Sequence, residues 1–214
     1  MEDRIILVDK PAGISSFGVV ARVRRKLSEE FGHKVKVGHT GTLDPFATGL
    51  LILLSGKMTK KSNDFLKQDK VYEATLKLGE TSTTGDPEGE IEKVSDKIPT
   101  KIEIETCLKS FLGEIEQTVP KFSAVKINGR RAYELARKGQ DFKTPTRPVT
   151  IYDIKIINYN YPTLKIEAHV SSGTYIRTLA EDIGKKLGTG AYLTALRRTK
   201  ISNFDVKDAI INLC

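Results

Sequence analysis

Alternation of apolar and polar residues is the clearest strand signal in this chain. Tyr72, Ala74, Leu76 and Leu78 alternate with polar residues. Side chains two positions apart lie on the same side of a strand, so this segment predicts a strand with one buried face. Shorter apolar or alternating runs predict further strands at residues 5–8, 50–54, 90–94, 149–157 and 164–170.

Helical spacing first appears near the amino terminus. Apolar residues recur there at intervals of three or four, which predicts one face of a helix. That face comprises Phe17, Val20, Val23, Leu27 and Phe31. We expect Ser15 or Ser16 to cap the helix and Gly32 to end it.

Two more helices follow from the same reasoning. Thr100 and Glu103 have the spacing of a capping box, after which the apolar positions continue at Ile104, Leu108 and Phe111. The last helix ends at Gly188 and has its apolar positions at Ile176, Leu179, Ala180, Ile183 and Leu187. Strands outnumber helices and several successive strands are close enough to pair, so the pattern predicts an α+β fold with a mixed sheet.

Composition and charge narrow the possible functions. The 214 residues include 35 Lys and Arg against 27 Asp and Glu, a net charge of +8 that predicts a polyanionic partner. Two cysteines, Cys107 and Cys214, are too few for a disulfide framework or a cysteine-based zinc site. The three histidines form no metal-binding motif, so we expect no metal.

Targeting signals are also missing from the sequence pattern. The longest strongly apolar run, residues 49–54, is far shorter than the ~20 residues that a membrane helix needs. The amino-terminal segment has early acidic residues and does not resemble a signal peptide. We therefore expect a cytoplasmic protein without a membrane partner.

Residues 120–147 carry much of the positive charge. This segment, here called the basic arm, has eight Lys and Arg residues against Glu134 and Asp141, interspersed with three aromatic residues. Cations suit phosphates and aromatic rings suit bases, so the arm predicts a nucleic-acid-binding insertion. A solvated, mobile insertion is the alternative.

The segment GHTGTLDPFATG at residues 38–49 is the strongest candidate for chemistry. It joins two apolar runs through glycines and threonines and contains one carboxylate, Asp44. Such a loop allows close approach to a ligand, although an Asp-Pro sequence is also common in plain turns.

This segment and five others strongly resemble the motifs of the TruB family of pseudouridine synthases. The others are DKPAGISS at 9–16, KVYEATLKLG at 70–79 with Thr81, Thr83, Asp86 and Gly89, PKFSAVK at 120–126, GTYIRTL at 173–179 and LRRT at 196–199. They occur in family order and cover nearly the whole chain. Phe122 stands where the family usually has tyrosine. The carboxyl-terminal PUA module of many relatives is not expected, so we predict a single catalytic domain over residues 1–214.

The resemblance implies a pseudouridine synthase fold and a defined reaction. The family isomerises the T-loop uridine of tRNA, position 55, without a cofactor, after the base is flipped out. It implies that Asp44 is the nucleophile and that Tyr72 stacks on the flipped uracil. A nearby arginine would keep Asp44 ionised, and Arg177, at the start of the last helix, is the natural candidate, with a plain surface arginine as the alternative. Tyr72 as plain core packing is the alternative. We expect tRNA as partner, a monomer, and no guide RNA.

Further residues receive supporting roles. RNA or base contacts are expected at His39, Tyr175, Leu196, Lys10, Arg130, Arg131 and Arg137. For Lys10 the expectation is structural or phosphate support, and for Leu196 a place in the pocket wall. Asp86, with Arg137, would extend a network of carboxylates and arginines around Arg177, although Asp86 also suits a turn.

Two rival functions remain open at this point. A non-catalytic RNA-binding or tRNA-folding module would explain the charge, but it could lose Asp44, which this chain keeps. A related synthase could act on ribosomal RNA or with a guide RNA, and the short chain speaks against the guided form alone.

Overall fold

The computed structural model describes residues 2–209. The chain divides into two compact units, Met1–Glu73 with Leu196–Cys214 and Ala74–Ala195. The helices are α1 (Ser16–Phe31), α2 (Ser62–Leu66), α3 (Lys101–Lys109), α4 (Ala132–Arg137) and α5 (Ile176–Leu187). The strands are β1 (Ile5–Lys10), β2 (Val37–His39), β3 (Thr48–Ser55), β4 (Lys70–Leu78), β5 (Glu80–Ser82), β6 (Ile91–Lys93), β7 (Gly113–Thr118), β8 (Lys126–Ile127), β9 (Arg130–Arg131), β10 (Thr146–Asn160), β11 (Thr163–Val170), β12 (Ala191–Ile201) and β13 (Phe204–Asp205).

In the first unit the sheet is built around β3. Strand β3 pairs antiparallel with β1 and β2 and parallel with the end of β12, where Arg198 faces Gly49. Leu51 and Leu53 pack with the apolar face of α1, whereas Leu50 and Ile52 pack in a second cluster with Ile201. Both faces of β3 are therefore buried, which explains its nearly continuous apolar sequence.

Helix α1 confirms the predicted helix with one correction. The Ser15 side chain accepts a hydrogen bond from the Gly18 N–H at 3.0 Å, and Gly32 ends the helix with φ of +71°. The prediction that Phe17 lies on the buried face is wrong, because its side chain is 65% exposed. Ser16 occupies the inward position instead, since its hydroxyl bonds to the backbone of Leu43.

In the second unit the sheet order is β12-β4-β11-β10-β7. Strand β10 pairs antiparallel with β11 on one side and with β7 on the other. The capping box of α3 is confirmed: Thr100 Oγ1 accepts from the Glu103 N–H at 3.2 Å, and the Glu103 carboxylate accepts from the Thr100 N–H at 2.7 Å. Helices α3 and α5 contact each other, and α3 also contacts β10.

Several elements were not predicted from the sequence. Strands β7 and β12 are missing from the predicted set, because their sequences do not alternate cleanly. The basic arm contains the short strands β8 and β9 and the helix α4. The α+β fold with a mixed sheet is confirmed. Among residues 2–209, no helix is both long enough and apolar enough to span a membrane.

Candidate active site

The loop between β2 and β3 presents Asp44 and is anchored on both sides of this residue. On one side, the Ser16 hydroxyl accepts from the Leu43 N–H at 2.8 Å and donates to the Leu43 carbonyl at 3.0 Å. On the other side, the Pro45 carbonyl accepts from the Gly13 N–H at 2.9 Å. Leu43 itself is buried, whereas Asp44 is partly exposed. The loop therefore holds the carboxylate in a defined position at the surface of the unit.

Lys10 completes the anchoring of this loop. Its ammonium group donates to the carbonyls of Pro11, Ile14 and Pro45 at 2.9, 2.8 and 3.2 Å. The side chain is completely buried and its three donors all have acceptors, so it offers no surface to RNA. Of the two roles expected for Lys10, these contacts support the structural one, and the phosphate contact stays a prediction that they do not support.

Arg198 holds the same loop from β12, and the sequence reasoning did not single it out. The guanidinium donates to the carbonyls of Leu50, Gly41 and Thr42 at 2.8, 3.1 and 3.4 Å, and the residue is 1% exposed. The only sequence signal for this role was the LRRT motif, which does not distinguish its two arginines. Gly49 is required beside it, because a Cβ at Gly49 would overlap the Arg198 backbone.

The neighbouring Arg197 has a different environment. Its guanidinium makes a bidentate ion pair with Asp9, with N–O distances of 3.0 and 2.7 Å, and it stays partly exposed. The pair joins β12 to β1. Of the two adjacent arginines in this motif, Arg197 thus forms a partly exposed ion pair, whereas Arg198 is buried and anchors the loop.

Burial and neighbouring positive charge lower the pKa values of two residues near the Asp44 loop, Lys10 and His39. Burial lowers the pKa of Lys10 to about 8; the charge of Asp44 opposes this shift and that of Arg198 adds to it. Burial and the Arg198 charge also lower the pKa of His39. The His39 Nδ1 accepts a hydrogen bond from the Gly41 N–H at 3.3 Å. An accepting Nδ1 carries no proton, so the His39 imidazole is neutral with its proton on Nε2.

Tyr72 and Leu196 are the predicted pocket residues of the first unit. Tyr72 lies on the inward face of β4 and Leu196 on β12, and each is 7% exposed. Strands β4 and β12 are neighbours in the sheet, and the Thr199 hydroxyl donates to the Val71 carbonyl at 3.2 Å. Tyr72 therefore has the inward orientation that the alternation predicted.

Arg177 and Asp86 form a buried ion pair in the second unit. The Arg177 Nη1 lies 3.3 Å from the Asp86 Oδ2, and each side chain is 6% exposed. Arg177 also donates to the carbonyls of Thr84 and Phe122 at 3.0 and 2.8 Å. The contact to residue 122 uses its backbone, so it does not depend on the hydroxyl that Phe122 lacks.

The other predicted RNA-contact residues of this unit occupy separate places. The Tyr175 backbone exchanges two hydrogen bonds with the Gln117 side chain. The Arg147 guanidinium lies 4.7 Å from the centre of the Tyr175 ring. Arg137 is exposed on α4, over the Tyr133 ring. The contacts that the structure gives Asp86 do not include Arg137, so the extension of the network to Arg137 stays a prediction. Arg130 and Arg131 are exposed on β9.

Metal-binding chemistry has no candidate in the described part of the chain. Within residues 2–209 no group of three His, Cys, Asp or Glu side chains is arranged to hold a metal ion. Cys107 is buried and unpaired, and Cys214 lies outside the described residues.

Comparison with known proteins supports the resemblance seen in the motifs. Residues 24–176 match the model of the TruB family pseudouridylate synthase N-terminal domain, and residues 177–213 match that of the tRNA pseudouridylate synthase B C-terminal domain. The chain is 47% identical to tRNA pseudouridine synthase B of Caldicellulosiruptor saccharolyticus, over 96% of this chain and 69% of that protein. It is 42% identical to the protein of the same name from Phocaeicola vulgatus, over 98% of this chain and 90% of that one.

Solved structures agree with the sequence relatives. A crystal structure of a Cbf5-Nop10-Gar1 complex matches 95% of this chain with a TM-score of 0.72 and 29% identity. A structure of an H/ACA RNP bound to a substrate RNA containing 2'-deoxyuridine matches with a TM-score of 0.70 and 26% identity. This chain spans about half the length of each of these structural relatives. The anchored Asp44 loop, the family models and the relatives agree, and the chain belongs to the TruB family of pseudouridylate synthases.

Proposed function

We propose that this protein isomerises the T-loop uridine of tRNA, position 55, to pseudouridine without a cofactor. The observation that carries the proposal is the Asp44 loop, which is anchored through the residues on both sides of the carboxylate. The relatives with 47% and 42% identity are both named tRNA pseudouridine synthase B, which supports tRNA as the substrate.

The reaction sets modest chemical demands on the protein. The bond between the ribose C1′ and the uracil N1 breaks, the base rotates, and a bond forms between C1′ and C5. A proton leaves C5 and another is taken up at N1, so the atoms balance and nothing is oxidised. The protein must hold the base outside the stack, stabilise charge during bond cleavage and move one proton.

Asp44 is the proposed nucleophile. A carboxylate can form a covalent intermediate that divides one difficult step into two easier ones. A nucleophile is most effective when its position is set before the substrate arrives, and the bonds from Ser16 and Lys10 supply that rigidity. Attack on the sugar and attack on the base both fit this placement.

The remaining roles follow from the placements described above. We assign Tyr72 to stacking on the uracil and to proton transfer, because its ring lies on the inward face of β4. We assign His39, with its neutral imidazole, to contact with the RNA near the flipped base. The role of Arg177 as the cation that keeps Asp44 ionised stays a prediction from sequence, and Arg177 also forms an ion pair with Asp86.

The domain content, oligomeric state and location of the enzyme are likewise proposed from sequence. A single catalytic domain, a monomeric state, a cytoplasmic location and action without a guide RNA remain predictions. The basic arm is assigned to phosphate contacts through exposed side chains such as Arg130 and Arg131.

The decisive experiment uses purified protein and a synthetic T stem-loop RNA. We expect pseudouridine at position 55, detected by carbodiimide labelling and primer extension, and no product from an RNA with cytidine at that position. Asp44→Asn should abolish turnover yet bind the RNA with nearly normal affinity, whereas Asp96→Asn, at an exposed ion pair, should retain full activity. Absence of product with the unaltered protein would refute the proposal, and an active Asp44→Asn variant would refute the nucleophile.

A separate measurement addresses the basic arm. Neutralising Arg130, Arg131 and Lys138 together removes three cations from the arm. If all three contact phosphates, the slope of log binding constant against log salt should fall by about 2 to 3. An unchanged slope would show that the arm does not contact phosphate.

A further inference from the structure

The exposed ring of Phe17 is not explained by folding. Ile14 and Val19, on either side of the Ser15 cap, both pack in the core cluster under α1, as a hydrophobic staple does. Ser16 points inward to Leu43. The first turn is therefore complete without Phe17, whose side chain is 65% exposed.

The backbone that carries the ring is also held in place. The Ser15 cap and the two bonds of Ser16 fix the backbone on the amino-terminal side of Phe17. On the other side, Gly18 packs so closely against Ile14 that an added Cβ would lie 2.8 Å from the Ile14 side chain. Phe17 cannot turn inward unless the first turn of α1 unwinds, so its ring stays on the outer side of the helix.

Phe17 is connected to the candidate nucleophile through one pair of hydrogen-bonded residues. Phe17 follows Ser16 in the chain and Asp44 follows Leu43, and Ser16 is hydrogen-bonded to Leu43 at 2.8 Å. With 3.8 Å between successive Cα atoms, the Cα atoms of Phe17 and Asp44 lie within about 15 Å of each other. This is the range of a nucleotide that flanks the reacting one.

The charge along the same helix edge indicates the kind of partner. Residues four and seven positions after Phe17, Ala21 and Arg24, lie on the same edge of α1, and both are partly exposed. Arg22, Arg25 and Lys26 are exposed in the same helix. This arrangement suits a nucleotide, because the base can stack on the Phe17 ring and the phosphate can pair with the Arg24 guanidinium.

We propose that Phe17 is a stacking platform for an unpaired base that flanks the target uridine, and that Arg24 binds a neighbouring phosphate of the same strand. The proposal rests on the proposed function, because the ligand is the substrate RNA. It adds a binding surface on α1 to the loop that carries Asp44 and to the basic arm.

The test measures equilibrium binding of a labelled T stem-loop RNA over a series of salt concentrations. Phe17→Ala should raise the Kd about tenfold, the effect of one lost base–aromatic stack, without changing the salt slope. Phe17→Tyr keeps the ring and should restore binding to within about twofold. Arg24→Gln should instead reduce the salt slope by about 1.

The controls separate this proposal from the proposed function. Ile102→Ala removes an apolar side chain that is 75% exposed on α3 and should leave the Kd unchanged. If the unaltered protein binds and isomerises the RNA but Phe17→Ala behaves like Ile102→Ala, the platform is refuted and the enzyme assignment stands. If Phe17→Tyr binds as weakly as Phe17→Ala, stacking is also refuted. An unaltered protein that neither binds nor isomerises the RNA overturns both proposals.

Discussion

Replacing Arg198 with lysine tests whether the buried guanidinium positions the nucleophile loop. Lysine keeps the positive charge, but Arg198 uses three different nitrogens of its planar guanidinium (Nε, Nη1 and Nη2), each for a different carbonyl, and one ammonium nitrogen cannot occupy all three positions. Arg198 donates to Leu50 at 2.8 Å, to Gly41 at 3.1 Å and to Thr42 at 3.4 Å. We expect the variant to keep at most one of these hydrogen bonds.

The expected cost follows from the number of bonds lost. A hydrogen bond to a charged group contributes about 1.5–3 kcal/mol, and a buried carbonyl left without a donor is costly. Because the contact to Thr42 is long, the loss corresponds to about 3 kcal/mol in the free energy of unfolding. Arg197→Lys is the matched control, since its partly exposed ion pair with Asp9 contributes about 1 kcal/mol or less.

Two measurements check this prediction. Urea denaturation should show a loss of about 3 kcal/mol for Arg198→Lys and about 1 kcal/mol or less for Arg197→Lys. Isomerisation assays should show a lower kcat with a smaller change in KM, because a misplacement of about 1 Å can reduce the rate about 100-fold. Equal stability and equal kcat for the two variants would refute the anchoring role of Arg198.

Three further predictions follow from the same structure. Asp86→Asn should reduce the free energy of unfolding by about 3–5 kcal/mol, because it removes one of the two charges of the buried ion pair between Asp86 and Arg177. Gly49→Ala should reduce it by at least about 3 kcal/mol, because the new Cβ would overlap the Arg198 backbone at a residue with φ of +104°. The third concerns pH: the lowered pKa of His39 means that the unfolded chain binds a proton first as pH falls, so the contribution of His39 to stability should be lost below about pH 6.5.

Each of these has its own control. Asp141→Asn breaks an exposed pair with Lys121, and urea denaturation should show about 1 kcal/mol or less, so equal losses at Asp86 and Asp141 would contradict the first. Gly13→Ala has open space around its Cβ at φ of +81°, so its cost should be limited to backbone strain. For His39, comparison of the unaltered protein with His39→Gln over pH 5–8 isolates its contribution, and a stability difference that is independent of pH would exclude the third.

Local periodicity predicted much of the fold, because the pattern of apolar and polar positions within a helix or strand depends only on residues close together in the sequence. The alternation in β4 and the spacing of α5 both appear in the structure, and so does the capping box at Thr100 and Glu103. Strand β12 was missed because its burial does not alternate regularly and includes Arg198, a residue type that is rarely buried. Its burial depends on carbonyls contributed by residues 41, 42 and 50.

The candidate site likewise combines features that the sequence predicted with contacts that it did not predict. The motif around Asp44 was recognisable in the sequence, but the partners that hold its loop come from distant positions. The Ser16 hydroxyl bonds to Leu43, and this contact also turns Phe17 outward against the expectation from helical spacing. Lys10 was expected to give structural or phosphate support, and its three carbonyl partners support the structural role.

The sequence by itself determined the family, the α+β class and the identity of the candidate nucleophile, because motifs and periodic patterns are local properties of the chain. Only the tertiary structure decided which cations are buried anchors and which aromatic ring faces solvent. Lys10 and Arg198 became loop anchors, and Phe17 an exposed ring, through contacts with residues distant in the sequence. No pattern of neighbouring residues encodes such contacts, since they arise when separate segments fold against each other.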